Sequence, residues 1–231
     1  MHHPKPAART ADVPDTSSTA TAMLDVAERL FAEHGIAAVS LRQIVLASGQ
    51  GNLSAAHYHF GSRDGLIRAL VERRMRVLDA IRHRRLDAIE ADGRVDTLGA
   101  VVEAAVGTLA EVVEREPWGP DYVQVLAQMM FESGLTVLDM IDPALRGSLV
   151  RARGMVRRLL PGLPRPIFES RVERVHHETV QTFARWIRAH GPVDASNRRA
   201  WRASSRDLVA FLSAGLAAPL AGPRLHHAAR R

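Results

Sequence analysis

Residues 40–61 read SLRQIVLASGQGNLSAAHYHFG, from Ser40 to Gly61, and this stretch decides the fold. Ser40, followed three places on by Gln43, is a capping-box pattern, so a helix starts there. Leu41, Ile44 and Ala47 give that short helix an apolar face, and Ser48-Gly49 ends it. After the turn Gly49-Gln50-Gly51, Asn52 is a good N-cap for a second helix from about Leu53 to His59. Phe60 closes it, Gly61 breaks it, and Ser62 caps the next. The turn needs a glycine because its backbone must take positive φ. The second helix opens on the small or polar residues Asn52, Ser54 and Ala55, so it is narrow enough to enter a DNA major groove. His57, Tyr58, His59 and Arg63 flank it with groups that grip phosphates.

Outward from this unit, periodicity is helical throughout and strand alternation never persists. Upstream, ATAMLDVAERLFAEHG places Met23, Ala27, Leu30 and Phe31 on one stripe, with Gly35 as a left-handed stop, so helix 1 starts at about Thr19. Downstream, helix 4 is expected over 62–90, helix 5 over 95–115 and helix 6 over 120–133. Asp142-Pro143 reads as the start of helix 7, which runs to Leu160. The prolines at 161, 164 and 166 form a connector, and helices 8 and 9 are expected over 167–190 and 196–217. The fold class is therefore all-α. A three-helix helix-turn-helix domain over 19–65, with its motif at 40–59, precedes a larger helical domain over 66–217. Residues 1–18 and 218–231 read as a disordered leader and tail.

Composition narrows the function. The 231 residues contain no cysteine, which excludes a disulfide scaffold, a Cys-ligated metal site and a thiol nucleophile. His57 and His59 point roughly 200° apart on a helix and cannot share one ion, so no metal is expected. There is no nucleophile elbow, no phosphate-binding glycine loop and no HExxH, so the sequence predicts neither an enzyme nor a cofactor. No apolar run is long enough to span a membrane and the N-terminus is no secretory signal, which places the expected location in the cytoplasm. The net charge of +6 suggests nucleic acid, but its distribution does not. Residues 1–65 sum to −1, 66–91 to +3, 92–143 to −8 and 144–231 to +12. The arginine-rich C-terminal part is therefore expected to meet the acidic stretch of its own or a partner chain.

Three segments in order carry a resemblance. MLDVAERLFAEHG (23–35), VSLRQIVLASG (39–49) and HYHFGSRDGL (57–66) resemble the N-terminal domain of the tetracycline-repressor (TetR) family of bacterial transcription regulators. The resemblance implies that Ser40 and Arg42 face the DNA backbone. It places Asn52, Leu53, Ser54 and His57 toward the groove, and Tyr58, His59 and Arg63 on phosphates. Phe60 becomes a buried plug between helices 3 and 1. The spacing from turn glycine to phenylalanine is one residue longer here than is usual in the family. The extra residue falls in the turn, which leaves Gln50 and Asn52 both as candidates for a base contact.

The family also implies a partner set: double-stranded DNA with a palindromic operator, a small, apolar effector and a second copy of the chain. The effector would sit in a cavity among helices 4 to 8 and release a repressor from its operator. Trp118 and Tyr122 flank Gly119-Pro120 and are candidates for its pocket, with Leu126, Met129, Met130, Met155 and His176. Large residues beside small ones on helices 8 and 9 suit a close interlock with a partner. Thr179, Phe183, Trp186, Trp201, Leu208, Phe211 and Leu212 are the candidates for that interface, packing within one chain being the alternative. Two other classes fit part of the sequence. A helical carrier or enzyme would bind ligand without shifting DNA. An architectural DNA-binding protein would bind any duplex with a steep salt slope, though it has no need of the long apolar C-terminal part.

Overall fold

The computed structural model describes residues 16–50, 52–132 and 142–220. Among these the chain forms nine α-helices and no strand. They are α1 (Thr16–His34), α2 (Leu41–Ala47), α3 (Leu53–Phe60), α4 (Arg63–Ala91), α5 (Leu98–Arg115), α6 (Gly119–Glu132), α7 (Gly147–Leu159), α8 (Arg165–His190) and α9 (Arg198–Ala217).

Boundaries move where local hydrogen bonding outweighs the apolar pattern. α1 begins three residues before the expected Thr19. Asp142 does cap its turn, accepting from the Ala144 N–H at 2.8 Å, but Pro143–Arg146 is a 3₁₀ turn and α7 starts after it. α8 takes in Pro166, since a proline is tolerated in a first turn whose N–H groups have no helical partner. α9 starts at Arg198 because Asp194 Oδ1 holds the Ser196 and Asn197 N–H groups at 2.8 and 3.2 Å in a separate turn. On α2 the inward stripe is Leu41, Ile44 and Val45, which leaves Ala47 exposed rather than inside. The expected disorder of 1–18 and 218–231 falls largely on residues outside those described.

α4 runs through one continuous core. Leu66, Ile67, Leu70 and Val71 are buried at the end that meets α1 and α3, whereas Leu78, Ile81, Leu86 and Ile89 are buried farther along, where α5 and α7 pack. α5 is the centre of the larger domain, with α4, α6, α7 and α9 around it. α6 packs against α1 on one side and α8 on the other.

The aromatic residues of α8 and α9 are used inside the protomer. Phe183 and Trp186 lie 4.8 and 4.9 Å from the Trp201 ring, and Trp201 Nε1 donates to the Ala110 carbonyl of α5 at 3.3 Å. Thr179, Phe183, Trp186, Trp201, Leu208 and Leu212 are all buried in the single chain, so they do not form the surface expected to meet a partner. Only Phe211 of that set is exposed, at 67%. The segregated charge also meets within the protomer. Glu114 on α5 receives Arg202 and Arg198 of α9, and Glu111 receives Arg85 of α4.

Candidate nucleic-acid interface

α2 stops where its backbone can reverse. Gly49 has φ of 71°, a conformation that strains any residue with a Cβ. Its N–H donates to Leu46 O at 3.2 Å and the Gln50 N–H to Val45 O at 3.1 Å, the paired bonds of a Schellman stop. Asn52 then starts α3, its Oδ1 accepting from the Ser54 N–H at 2.8 Å. Both ends of the longer turn are therefore fixed by caps. Gly51 itself lies outside the described residues.

α3 presents one face to solvent. Leu53, Ser54, His57 and Tyr58 are exposed at i, i+1, i+4 and i+5, with Tyr58 at 81%. Ala56 on the far side is fully buried, and Ala55 and Phe60 are half-buried against the core. Phe60 is thus only partly covered, where a fully buried plug was expected. Small residues let such a helix approach base edges, and the Tyr58 hydroxyl is free to reach a phosphate. His57 keeps one ring nitrogen 3.1 Å from the Gly61 carbonyl.

Other expected contacts are drawn away from this face. His59 is half-buried, its ring 5.2 Å from Tyr58 and 5.9 Å from Phe60. Ser40 completes its capping box: it accepts from the Gln43 N–H at 3.3 Å, and its backbone N–H donates to Gln43 Oε1 at 2.8 Å. Arg42 is exposed and pairs with no carboxylate among the described residues. Gln50 is half-buried.

Arg63 departs furthest from the expected phosphate contact. Its Nε donates to the Val39 carbonyl at 2.9 Å, an Nη donates to the Ile36 carbonyl, and its guanidinium lies 5.7 Å from the Phe31 ring. It fastens the loop between α1 and α2 to the start of α4. Gly65 permits the close turn from α3 into α4, since a Cβ there would come within 1.9 Å of the Phe60 carbonyl. Arg63→Ala should therefore lower folding stability by about 2–3 kcal/mol, because two loop carbonyls lose a charged donor. Urea unfolding of the variant checks this, and an unchanged midpoint would rule the fastening out.

Two further connections join this unit to the larger domain. Gln128 of α6 donates from Nε2 to the Phe31 carbonyl at 3.0 Å and accepts the Ile36 N–H at 2.8 Å. Arg74 of α4 forms a buried ion pair with Glu28 of α1, with Nε at 3.1 and 3.0 Å from its two oxygens. Arg74 also reaches Asp25 at 3.2 Å and lies 4.2 Å from the Trp118 ring. Burial holds the Glu28 carboxyl above its usual range, against the pull of Arg74.

Trp118 therefore packs over this ion pair. Tyr122 is fully buried beside it, at 5.7 Å ring to ring, and its hydroxyl finds no hydrogen-bond partner among the described residues. Burial pushes that hydroxyl's pKa up. Leu126, Met129 and Met155 are buried in the core, and Met130 is half-buried against it.

A cavity does lie among helices 4 to 8, but away from these residues, between α4, α5, α7 and α8 with Leu216 of α9, and its volume is about 100 Å³. Val101, Val106, Val156, Val172, Val175 and Val180 dominate its walls. Of the expected pocket residues only His176 lines it, joined by Thr179, which was expected in the dimer interface. The cations on the wall are Arg82 and Arg153, and Arg82 is 5% exposed. Burial pushes the Arg82 pKa down to about 10, with Asp79 opposing. Burial, with the charges of Arg82 and Arg153, pushes His176 down to about 4.

The residues that hold this site and were not expected left a sign in the sequence. Leu70, Arg74, Leu78, Arg82 and Leu86 form one ladder at four-residue spacing. An arginine inside an apolar stripe is a candidate for burial with a partner.

Comparisons with known proteins bear on both parts. The description "Bacterial regulatory proteins, tetR family" matches residues 23–70, and "Tetracyclin repressor-like, C-terminal domain" matches residues 103–215. A search of curated proteins found no match. Among solved structures, one assigned as a tetR family transcription regulator from Shewanella sp. PV-4 superposes with a TM-score of 0.60 at 17% identity, covering 84% of this chain and 95% of its own. NalD of Pseudomonas aeruginosa, described as the secondary repressor of the MexAB-OprM multidrug efflux pump, gives 0.56 at 18% identity, over 87% of this chain and 98% of its own. FadR of Bacillus halodurans, described as a fatty acid degradation regulator, gives 0.53 at 14% identity, over 91% and 98%.

Proposed function

The chain belongs to the tetR family of bacterial regulatory proteins, and from that premise we propose that it is a homodimeric repressor released by a small effector. The carrying observation is α3, with Leu53, Ser54, His57 and Tyr58 outward on a helix capped at both ends. One such helix reads few base pairs. Two related by a two-fold axis, roughly 34–36 Å apart, read a palindrome. Ser54, with Gln50 or Asn52, reads bases, whereas Arg42 and Tyr58 hold phosphates. The DNA-reading domain is taken as 19–65 and the effector and dimer domain as 66–217, acting in the cytoplasm.

The second copy docks on the outward side of α8 and α9. Ala203, Ala210, Phe211 and Ala214 of α9 are exposed on one strip, and the small residues let a partner helix approach closely. On α8 that side carries Arg174, Glu178 and Arg185, charges of both signs that suit an antiparallel copy. NalD is described as a repressor, and the same direction is adopted here. Release needs two states of α4 that the effector binds unequally, since equal binding shifts nothing.

Selection from random duplexes followed by band shift tests the proposal. An inverted repeat with half-sites about one helical turn apart should be enriched. Phe211→Arg should leave a folded monomer whose affinity for that repeat falls by about tenfold or more, since each half-site is then bound alone. Failure to enrich any repeat, with the protein folded and dimeric, would sink the repressor reading.

A further inference from the structure

The cavity is apolar on most sides and basic on one. Arg82 is its anomaly. The guanidinium is buried, Nη1 donates to Ser148 Oγ at 3.0 Å, and Nε has no hydrogen-bond partner among the described residues. It makes no ion pair among those residues. The nearby carboxylate of Asp79 spends Oδ1 on the Ser148 N–H at 2.8 Å, and its Oδ2 lies 3.5 Å from His83 Nε2. A buried cation that makes no direct ion pair is costly, and a hydrophobic residue of similar volume would fill the same place more cheaply.

The rest of the wall has the same polarity. Arg153 and His176 stand on it beside Arg82, and no Asp or Glu among the described residues lines the cavity. Arg153 is held on its outer side by Glu169. The Thr179 hydroxyl is already donated to the Val175 carbonyl at 2.6 Å. The remaining lining is valine, alanine and leucine, and β-branched walls hold their shape without a ligand.

We propose that this cavity takes a small monocarboxylate, with its apolar body against the valines of α5 and α8 and its carboxylate on the Arg82 guanidinium. The proposal rests on the reading of the chain as an effector-controlled regulator and names the class of effector. A planar carboxylate matches the fork of an arginine. A phosphate would bring more acceptor oxygens than the free donors here can satisfy, and an amine would face two guanidinium charges. At about 100 Å³ the cavity suits a body of a few carbons rather than a long acyl chain.

The site also has a route to α3. Arg82 is on α4, whose other end packs with α1 and α3, and Ser148 is on α7. A carboxylate that draws Arg82 from Ser148 loosens α4 from α7 at that point.

Calorimetric titration of the DNA-free protein with hexanoate, 1-hexanol and hexylamine tests this. Hexanoate should bind about tenfold more tightly than 1-hexanol, because a charged hydrogen bond is gained, and hexylamine should not bind. Arg82→Met should erase that preference while keeping the affinity for 1-hexanol within about threefold, which reports an intact cavity. Equal binding of hexanoate and 1-hexanol by the unaltered protein would overturn the proposal, as would a preference that survives in Arg82→Met. So would failure of hexanoate, butyrate and benzoate alike to bind. The titration needs no DNA. Hexanoate binding by a protein that shifts no duplex would count against the regulator reading alone, and an operator complex in a protein blind to carboxylates would count against this proposal alone.

Discussion

Arg74→Ala should lower the unfolding free energy by about 3–5 kcal/mol. The side chains of Arg74 and Glu28 are 6% and 3% exposed, so truncating one leaves the other buried without its charge partner. The loss is worsened by Trp118, whose ring then faces no cation. Replacing both partners removes the stranded charge, so Glu28→Met with Arg74→Met should recover most of the stability. Urea unfolding of the single and double variants decides the point. A single variant within about 1 kcal/mol of the original would mean that the pair is not buried in solution. The same truncation should loosen α1 from α4 and weaken binding to any duplex, since it leaves the base-facing side of α3 untouched.

Acid should unfold the protein earlier than its carboxylates alone would require, and His176 is the reason. Its folded value of about 4 lies below the ordinary value of 6.5, because burial and the cations of Arg82 on α4 and Arg153 on α7 oppose its charging. The α5 side of the cavity offers no carboxylate to offset them. The unfolded chain therefore takes up this proton first. Stability from the neutral ring is fully present above about pH 6.5 and drains away as pH falls toward about 4, by about 3 kcal/mol in all. His176→Gln should flatten the fall in stability across that window. Glu28, held above its usual range, titrates in the opposite sense, but the difference between the two proteins cancels it. Parallel stability curves for the two proteins from pH 7 to pH 4 would contradict a buried neutral ring.

Local signals carried the helices, because caps act over three or four residues. Ser40, Asn52 and Ser62 each accept the N–H that their place in the sequence predicts. The outward face of α3 was legible for the same reason, since it follows from a start at Leu53 and the helical period. What a buried stripe packs against was not legible. Phe183, Trp186 and Trp201 read as apolar faces that need a cover, and their own chain supplies it. Arg63 reads as a surface cation beside a helix start, yet the loop carbonyls of Ile36 and Val39 lie within its reach only in three dimensions. The cavity leaves no periodic trace, because it is a mismatch between packed surfaces rather than a property of one helix. Most of its lining residues were missed for that reason, although its place among helices 4 to 8 was expected and the arginines within the apolar ladder of α4 marked one wall.

The Gln128 clamp bears on whether the DNA-reading part is portable. A cut after α3 or early in α4 strands the Ile36 amide, takes the Gln128 donor from the Phe31 carbonyl, and separates Glu28 from Arg74. The first three helices are therefore not a detachable cassette. A chimaera that grafts them onto another regulator must carry the first half of α4 and the Gln128 turn of α6 as well. The unit of exchange is set by side chains far along the chain, not by the end of the motif.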